Sequence, residues 1–311
     1  MTADRAGPAG PFAAGPAVAS PVVASPVPAF RWTAEHDEFR GAVRKLTETR
    51  VPLACAPSPA SADPRERELW RAWTEEMGLP GLVIPEDHGG SGFSRLELAI
   101  AAEAGLLVVA AREPAGISLF VVEPGAGVEV TPLEVLDASR PMARVTLRDA
   151  AARRAGVAGQ GWAAVQRALQ AGTVFLAAEQ VGGSRALLGA AVEHAKTRVQ
   201  FGQPVGRFQG VKHRLADMAA RTELAAAAAA WTAWQSPGSA AAGLGTAVAG
   251  AYCSEAYLET ALDAIQVHGG MAITWEHHAH RFLRRARADA AVLLPPREHR
   301  RRLETVIGTG A

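Results

Sequence analysis

Residues 264–289 concentrate the side chains of this chain that could do chemistry. In a chain dominated by Ala, Leu and Val, they include Gln266, the pair Gly269 and Gly270, and Glu276 beside a tryptophan. Several histidines follow at once. Carboxylates and imidazoles are common general acids and bases, and imidazole also binds metal ions. We therefore expect catalysis, if there is any, in this stretch.

Two simple alternatives stand beside that expectation. Glu276 could be a catalytic base, or only a first-turn carboxylate that stabilises the last helix. His277, His278 and His280 could suggest a metal site, but adjacent histidines on a helix point in different directions, and only His277 and His280 are three residues apart. We therefore predict no metal site, and we expect these histidines to form a solvated or interface face of the helix instead.

Composition limits the classes of function that are open to the chain. It has 311 residues, and 32 basic against 31 acidic residues leave a net charge of +1. This balance argues against a dedicated nucleic-acid binder. No stretch is long and apolar enough to span a membrane, and Cys55 and Cys253 form no disulfide or metal-ligand pattern. We therefore expect a cytoplasmic protein that binds neither nucleic acid nor membrane.

Composition and periodicity predict four segments. Residues 1–29, rich in Ala and Pro, are predicted to be a disordered tail rather than a signal peptide, because prolines interrupt the apolar run. Residues 30–104 predict a helical domain, 105–150 a small β-domain and 151–311 a helical bundle.

The predicted elements define a mainly α fold with a small antiparallel β-unit. Four strands leave exposed edges, which invite pairing or need covering. Four long amphipathic helices with short connections predict a four-helix bundle. The predicted strands are 106–109, 117–122, 128–135 and 143–147, and the helices are one that ends near Arg198, then 209–234, 240–267 and 277–292.

Three segments resemble the acyl-CoA dehydrogenase family. They are LPGLVIPEDHGGSGFSRLELA (79–99), HAKTRVQFGQPVGRFQGVKHRLADMA (194–219) and AIQVHGGMAITWEHHAHRFLRRA (264–286). The second is long and specific, and the resemblance covers about residues 30–289 with interruptions. In that family an N-terminal helical domain, a middle β-domain and a C-terminal four-helix bundle enclose FAD, which is the order predicted here.

The resemblance implies that eight residues contact FAD. Arg198 matches a contact to the FAD of a neighbouring subunit, and a guanidinium fork suits a pyrophosphate. The glycine pair matches an element whose backbone can approach the cofactor's diphosphate. The eight matching residues are Arg198, Gln200, Phe201, Phe208, Gln209, Gln266, Gly269 and Gly270.

The resemblance also implies a reaction, the α,β-desaturation of an acyl-CoA thioester by a flavoprotein oxidoreductase of lipid metabolism. Glu276 matches the family's base, which takes the α-proton while the β-hydrogen leaves as hydride to the flavin. Burial beside Trp275 and substrate is expected to raise the pKa of Glu276 toward the working pH. Homo- or hetero-oligomers are implied, while the acyl chain and the electron acceptor stay open.

The sequence departs from the family in the middle domain. The TEPxxGSD-like segment that binds the isoalloxazine ring is missing, which predicts a β-domain truncated by an internal deletion and an incomplete N-terminal helical domain. Ala272 and Ile273 replace a Gly-aromatic pair, and no Asp-x-x-Arg pattern is evident around Gln166. A non-catalytic or partner subunit of a hetero-oligomeric acyl-CoA dehydrogenase, with an incomplete flavin site, is therefore the alternative function.

Overall fold

The structure, a computed structural model, describes residues 107–123, 125–137, 139–140, 142–235 and 238–308. Five further residues, within the predicted helical domain 30–104, are described, and all are helical: Ala34, Asp37, Glu38, Gly41 and Lys45. The predicted tail and the rest of that domain, including the segment 79–99, lie outside the described residues.

Five short strands lie between residues 107 and 155, before the long helices. β1 (Leu107–Glu113), β2 (Gly116–Val122) and β5 (Ala152–Ala155) form an antiparallel sheet in the order β1–β2–β5. β3 (Val128–Pro132) and β4 (Ala143–Leu147) form a separate antiparallel pair. The four predicted strands are present, but β1 is longer than predicted, and β3 ends at Pro132, which has no N–H to donate to a ladder.

β5 was not predicted from the sequence. Its central residues Arg153 and Arg154 give the four-residue strand no apolar alternation, and tertiary pairing with β2 decides its conformation. Arg154 also contacts Glu113 of β1 at 2.7 Å across the sheet. β5 begins just beyond residue 150, where the sequence predicted that the β-domain ends.

Five helices account for most of the described chain from residue 162 onward, so the mainly α prediction is confirmed. α1 (Trp162–Thr197), α2 (Gln209–Trp234), α3 (Ala240–His268) and α4 (Ala279–Val292) are the four predicted helices, with ends within two residues of the prediction for α2 to α4. α5 (Pro296–Ile307), which is rich in arginine, was not predicted. Within the described part of the chain, no helix is both long and apolar enough to cross a membrane.

α3 is the central helix, and it contacts α1, α2, α4 and α5. All its buried residues except Tyr257 and His268 are Ala, Gly, Ser, Thr or Cys. Small side chains allow the neighbouring helix axes to approach closely. Tyr257 is 2% exposed and packs against α1 at Gly183, where an added Cβ would lie 2.6 Å from the tyrosine ring.

An ionic cluster attaches residues 137–140 to the helices. Arg140 lies 2.7 Å from Asp289 of α4 and also pairs with Glu179 of α1. Arg285 of α4 lies 2.5 Å from Asp137 and 2.6 Å from Glu179. Burial, with the nearby Glu179 carboxylate, raises the pKa of Asp289 to about 7 against the attraction of the two arginines.

The contact between Gly183 and Tyr257 yields a stability prediction. The substitution Gly183→Ala is expected to lower the free energy of unfolding by about 1–3 kcal/mol, because the new methyl group overpacks a buried ring that cannot move aside. The measurement is urea denaturation followed by circular dichroism.

Gly182 is the matched control for this prediction. It precedes Gly183 in α1, and an added Cβ there meets nothing within 4 Å. Gly182→Ala should raise the free energy of unfolding by up to about 1 kcal/mol, because alanine loses less backbone entropy in a helix. Equal stabilities for the two variants would contradict the described packing of α1 on α3.

Candidate functional site

A cleft of about 500 Å³ lies where the ends of three helices meet. Its walls are the last turn of α1, the connection to α2, the start of α2 and the end of α3. This volume is typical of small-molecule sites, which enclose roughly 300–1,000 Å³. Six of the eight residues predicted to contact a cofactor line the cleft: Arg198, Gln200, Phe201, Phe208, Gln266 and Gly269.

The two other predicted residues do not line it. Gln209 is the first residue of α2, and its side-chain amide lies 3.4 Å from Nε2 of His213, on the same helix. Gly270 follows Gly269 in a short 3₁₀ helix, Gly269–Ile273, and a Cβ added to it would meet no atom within 4 Å. The sequence pattern did not separate these two positions from their neighbours that line the cleft.

A two-residue hairpin presents Phe201 at the mouth of the cleft. β6 (Val199–Gln200) pairs with β7 (Gln203–Pro204), and Phe201 and Gly202 form the turn with φ of 53° and 78°. A positive φ costs a non-glycine residue about 1–2 kcal/mol. Phe201 is nevertheless 92% exposed, and its ring meets that of Phe208 edge-on at 6.0 Å.

Gly206 explains how the connection approaches α1. A Cβ at this position would lie 2.8 Å from the carbonyl oxygen of Ala195. Only glycine allows the 3₁₀ turn Val205–Arg207 to pack on the last turns of α1 without a shift. This close contact positions the Phe208 end of the connection beside Arg198.

The cleft is electrostatically suited to an anion. Arg198 and Arg214 contribute guanidinium groups, and none of the described lining residues is acidic. The first turn of α2 contributes Gly210 and Val211, and its N-cap residue provides no side-chain hydrogen bond. The N–H groups and positive dipole end of such a turn favour negative charge.

Glu276 lies outside the cleft. It is in the loop between Gly269–Ile273 and α4, and its carboxylate is fully exposed. A hydrogen bond from Thr274 lowers the pKa of Glu276, the opposite of the rise expected from burial. Trp275, which was expected to bury it, instead packs on His280 at 4.9 Å and against Arg284 at 4.9 Å.

Three histidines connect the cleft with the Glu276 loop. The ring centroids of His194 and His268 are 4.6 Å apart, and those of His268 and His277 are 4.5 Å apart. His194 and His268 line the cleft, and His277 directly follows Glu276. We call His194, His268 and His277 the imidazole row.

The sequence did not indicate this row. The helical spacing of His277, His278 and His280 favoured a solvated or interface face, whereas His280 is 9% exposed under Trp275. His194 and His268 are 74 positions apart and meet only through the packing of α1 on α3. Among the described residues, no three His, Cys, Asp or Glu side chains are grouped as metal ligands.

Seven further cleft-lining residues lie within the family segments 194–219 and 264–286, but the sequence did not single them out. They line the cleft because of where the helices begin and end, and not because of their residue types. They are Val205, Gly210, Val211, Arg214 and Val267, together with His194 and His268.

Comparisons with known proteins identify relatives of this chain. Residues 33–118 match the family described as acyl-CoA dehydrogenase, N-terminal domain, and residues 159–292 match the one described as acyl-CoA dehydrogenase, C-terminal domain. The chain is 32% identical to acyl-CoA dehydrogenase IpdE2 of Mycobacterium tuberculosis, over 88% of this chain and 97% of the relative. That alignment has 330 positions, so part of the relative has no counterpart among these 311 residues.

Solved structures have the same fold. An acyl-CoA dehydrogenase from Bacillus anthracis, complexed with FAD, superposes with a TM-score of 0.77 at 18% identity, over 89% of this chain and 67% of that one. Butyryl-CoA dehydrogenase from Megasphaera elsdenii superposes with a TM-score of 0.75 at 18% identity, over 90% and 99% of the two chains.

Proposed function

Because the chain belongs to the acyl-CoA dehydrogenase family, we propose that it is an FAD-dependent oxidoreductase that forms a Cα–Cβ double bond in an acyl-CoA thioester. The observation that carries the proposal is the convergence of six candidate residues on one cationic cleft. These residues come from positions 198 to 269 and are brought together by three helix ends. A site for a large anionic cofactor requires such convergence.

The described residues fit the phosphate-bearing part of FAD. Arg198 offers a planar fork of N–H donors that suits phosphate oxygens. The start of α2 offers a helix N-terminus, and Gly269 offers backbone without a side chain at φ of 68°. Phe201 and Phe208 provide aromatic surface for a planar ring. FAD, when bound, supplies the acceptor for two electrons and a hydrogen.

Glu276 is the proposed base. Its carboxylate accepts the proton from the α-carbon of the thioester, while the β-hydrogen leaves with its electron pair. In this chain alone the carboxylate is exposed and its pKa is lowered, which favours ionisation but weakens it as a base. Efficient proton abstraction therefore requires that substrate, or a second subunit, covers Glu276 and raises its pKa.

Arg198 tests the cofactor assignment. Arg198→Ala should weaken FAD binding by about tenfold to a hundredfold, since a hydrogen bond to a charged group contributes roughly 1.5–3 kcal/mol. Arg198→Lys should bind with intermediate affinity, because it keeps the charge but loses the fork. The dissociation constant is measured by flavin fluorescence at constant ionic strength.

Lys196 is the matched control for Arg198. It lies in the last turn of α1, two residues away, but its ammonium pairs with Glu193 at 2.6 Å and does not line the cleft. Lys196→Ala should leave the FAD dissociation constant unchanged. If Lys196→Ala and Arg198→Ala weaken binding equally, Arg198 has no specific contact with the cofactor.

Glu276 tests the reaction. Glu276→Gln should reduce kcat for acyl-CoA desaturation by about 10²–10⁴, the usual contribution of a general base, while FAD content is unchanged. Turnover is measured with an artificial electron acceptor on a panel of acyl-CoA thioesters. Glu223→Gln, at an exposed carboxylate of α2, should have full activity. Full activity of Glu276→Gln would remove Glu276 from the catalytic role.

A partner subunit is the second candidate function. Around Glu276, Ile273 is 69% exposed and Trp275 68% exposed, and Phe201 stands almost free at the cleft mouth. Exposed apolar side chains around a site are typical of a surface that another protein covers. Homo- or hetero-oligomerisation with an acyl-CoA dehydrogenase-like subunit would cover these side chains and complete the site.

Native mass spectrometry separates the two candidates. A partner subunit, produced alone, should contain no FAD and show no turnover, and should form a hetero-oligomer with FAD when produced with a full-length homologue from the same genome. Monodisperse protein with bound FAD and turnover, produced alone, would exclude that candidate.

A further inference from the structure

The hydrogen bonds of the imidazole row determine which ring nitrogens carry protons. Nδ1 of His268 lies 2.7 Å from the carbonyl oxygen of Ala264. A carbonyl only accepts, so His268 Nδ1 carries a proton, and in the neutral ring Nε2 has a free lone pair. His268 is 8% exposed, and this bond holds its ring at the end of α3.

His277 has the opposite arrangement. The backbone N–H of Ala279 donates to His277 Nδ1 at 3.1 Å, so this nitrogen must be unprotonated. In the neutral ring the proton is therefore on Nε2. The bond satisfies the N–H of the first residue of α4, whose N-cap residue His278 makes no side-chain cap hydrogen bond.

The Ala279 hydrogen bond exists only while His277 is neutral. Protonated imidazole has an N–H on both nitrogens and cannot accept. Acidification would thus free the Ala279 N–H and place a cation beside His268. The loop would lose the hydrogen bond that joins His277 to α4, while the packing of Trp275 on His280 and Arg284 and the backbone turns of the loop would remain.

Burial and the neighbouring imidazoles oppose the protonation of His277. His268 faces it from α3 and His194 from α1, while His278 and His280 lie on its own segment. Burial lowers the pKa of His277 below 6.5 most strongly, and the four imidazoles lower it further. Arg198 lies beyond His194, and Arg281 and Arg284 lie beside His280. The adjacent Glu276 carboxylate is bonded to Thr274.

We propose that the imidazole row is a proton-sensitive latch, in which neutral His277 holds the Glu276 loop between His268 and the start of α4, and protonated His277 loses its bond to Ala279 and loosens the loop. His277 and His268 are then positioning residues for Glu276, a role that rests on the proposed function. The latch is complete above the ordinary imidazole pKa, because the folded state binds fewer protons than the unfolded state. It is lost as the pH falls below 6.5 toward the lowered value.

Hydrogen exchange at the Ala279 amide tests the latch directly in the full-length protein. Exchange is measured between pH 5 and 8 and divided by the intrinsic rate at each pH. In the unaltered protein, protection of the Ala279 amide should fall by about fivefold or more below the pH at which His277 is half protonated. This is the factor for one hydrogen bond of ordinary strength. Protection that is the same at pH 5 and pH 8 would overturn the proposal.

Two substitutions of His277 separate proton sensitivity from simple packing. His277→Asn has a side-chain oxygen that can accept from the Ala279 N–H and cannot be protonated, so protection should be high at every pH. His277→Ala has no acceptor, so protection should be low at every pH. His278→Asn, at the exposed neighbour, should keep the pH dependence of the unaltered protein. If the protection of the Ala279 amide depends on pH in the same way in His277→Asn and in the unaltered protein, the latch does not exist.

Activity provides a second, separate readout. If the protein desaturates an acyl-CoA, the fall of kcat/KM at acid pH should be smaller in His277→Asn than in the unaltered protein, with no change in FAD content. If no variant desaturates any acyl-CoA, the proposed function fails, while hydrogen exchange still decides the latch. Identical acid limbs, together with a confirmed exchange pattern, would show that the latch does not position Glu276.

Discussion

The close packing of α3 is the constraint on which the rest of the described structure depends. Its buried face is almost entirely Ala, Gly, Ser, Thr and Cys, and four helices therefore reach it. Where one helix has a large buried residue, the facing residue of the neighbouring helix is glycine. Tyr257 fits against Gly183, and His299 of α5 fits against Gly250. Close-packed interiors transmit small changes in volume, so these pairs define the relative positions of the helices.

That packing determines the position of every wall of the cleft. α3 ends at His268 and Gly269, α1 ends beside them at Arg198, and α2 begins across the gap. The N-terminus of α2 and two arginines therefore face a common volume without a facing carboxylate. Arg214 pairs directly with Asp263 of α3, which balances part of its charge. Positive groups that line a concave site favour negatively charged ligands.

The Glu276 loop differs from the cleft in its degree of closure. The cleft is a formed concave site, whereas Glu276, Ile273 and Trp275 are exposed. The wall proposed to bind the cofactor is therefore already formed in this chain, whereas the role proposed for Glu276 depends on what covers the loop. The alignment with IpdE2, whose 330 positions exceed this chain's length, agrees with a chain that lacks a segment present in a relative. The imidazole row is the described contact between the formed cleft and the open loop.

The sequence alone was sufficient for features that depend on local pattern. Periodic Ala, Leu and Val placed α2, α3 and α4 within two residues, and the run from His194 to Ala219 identified the family. It also indicated six residues that line the cleft. The pattern failed where local signals were weak: Arg153 and Arg154 obscured β5, and the many charged residues of α5 left His299 as its single buried residue.

Only the tertiary structure decided which of these residues meet. Gln209 and Phe208 are adjacent in sequence, but helix geometry turns one toward His213 and the other into the cleft. His194 and His268 became neighbours through the packing of α1 on α3, which no spacing rule contains. The exposure of Glu276 and the Thr274 hydrogen bond that lowers its pKa were likewise decided in three dimensions. Residue types and spacing specify local conformation and chemistry, while contacts between distant segments specify burial, and burial determines what a titratable group can do.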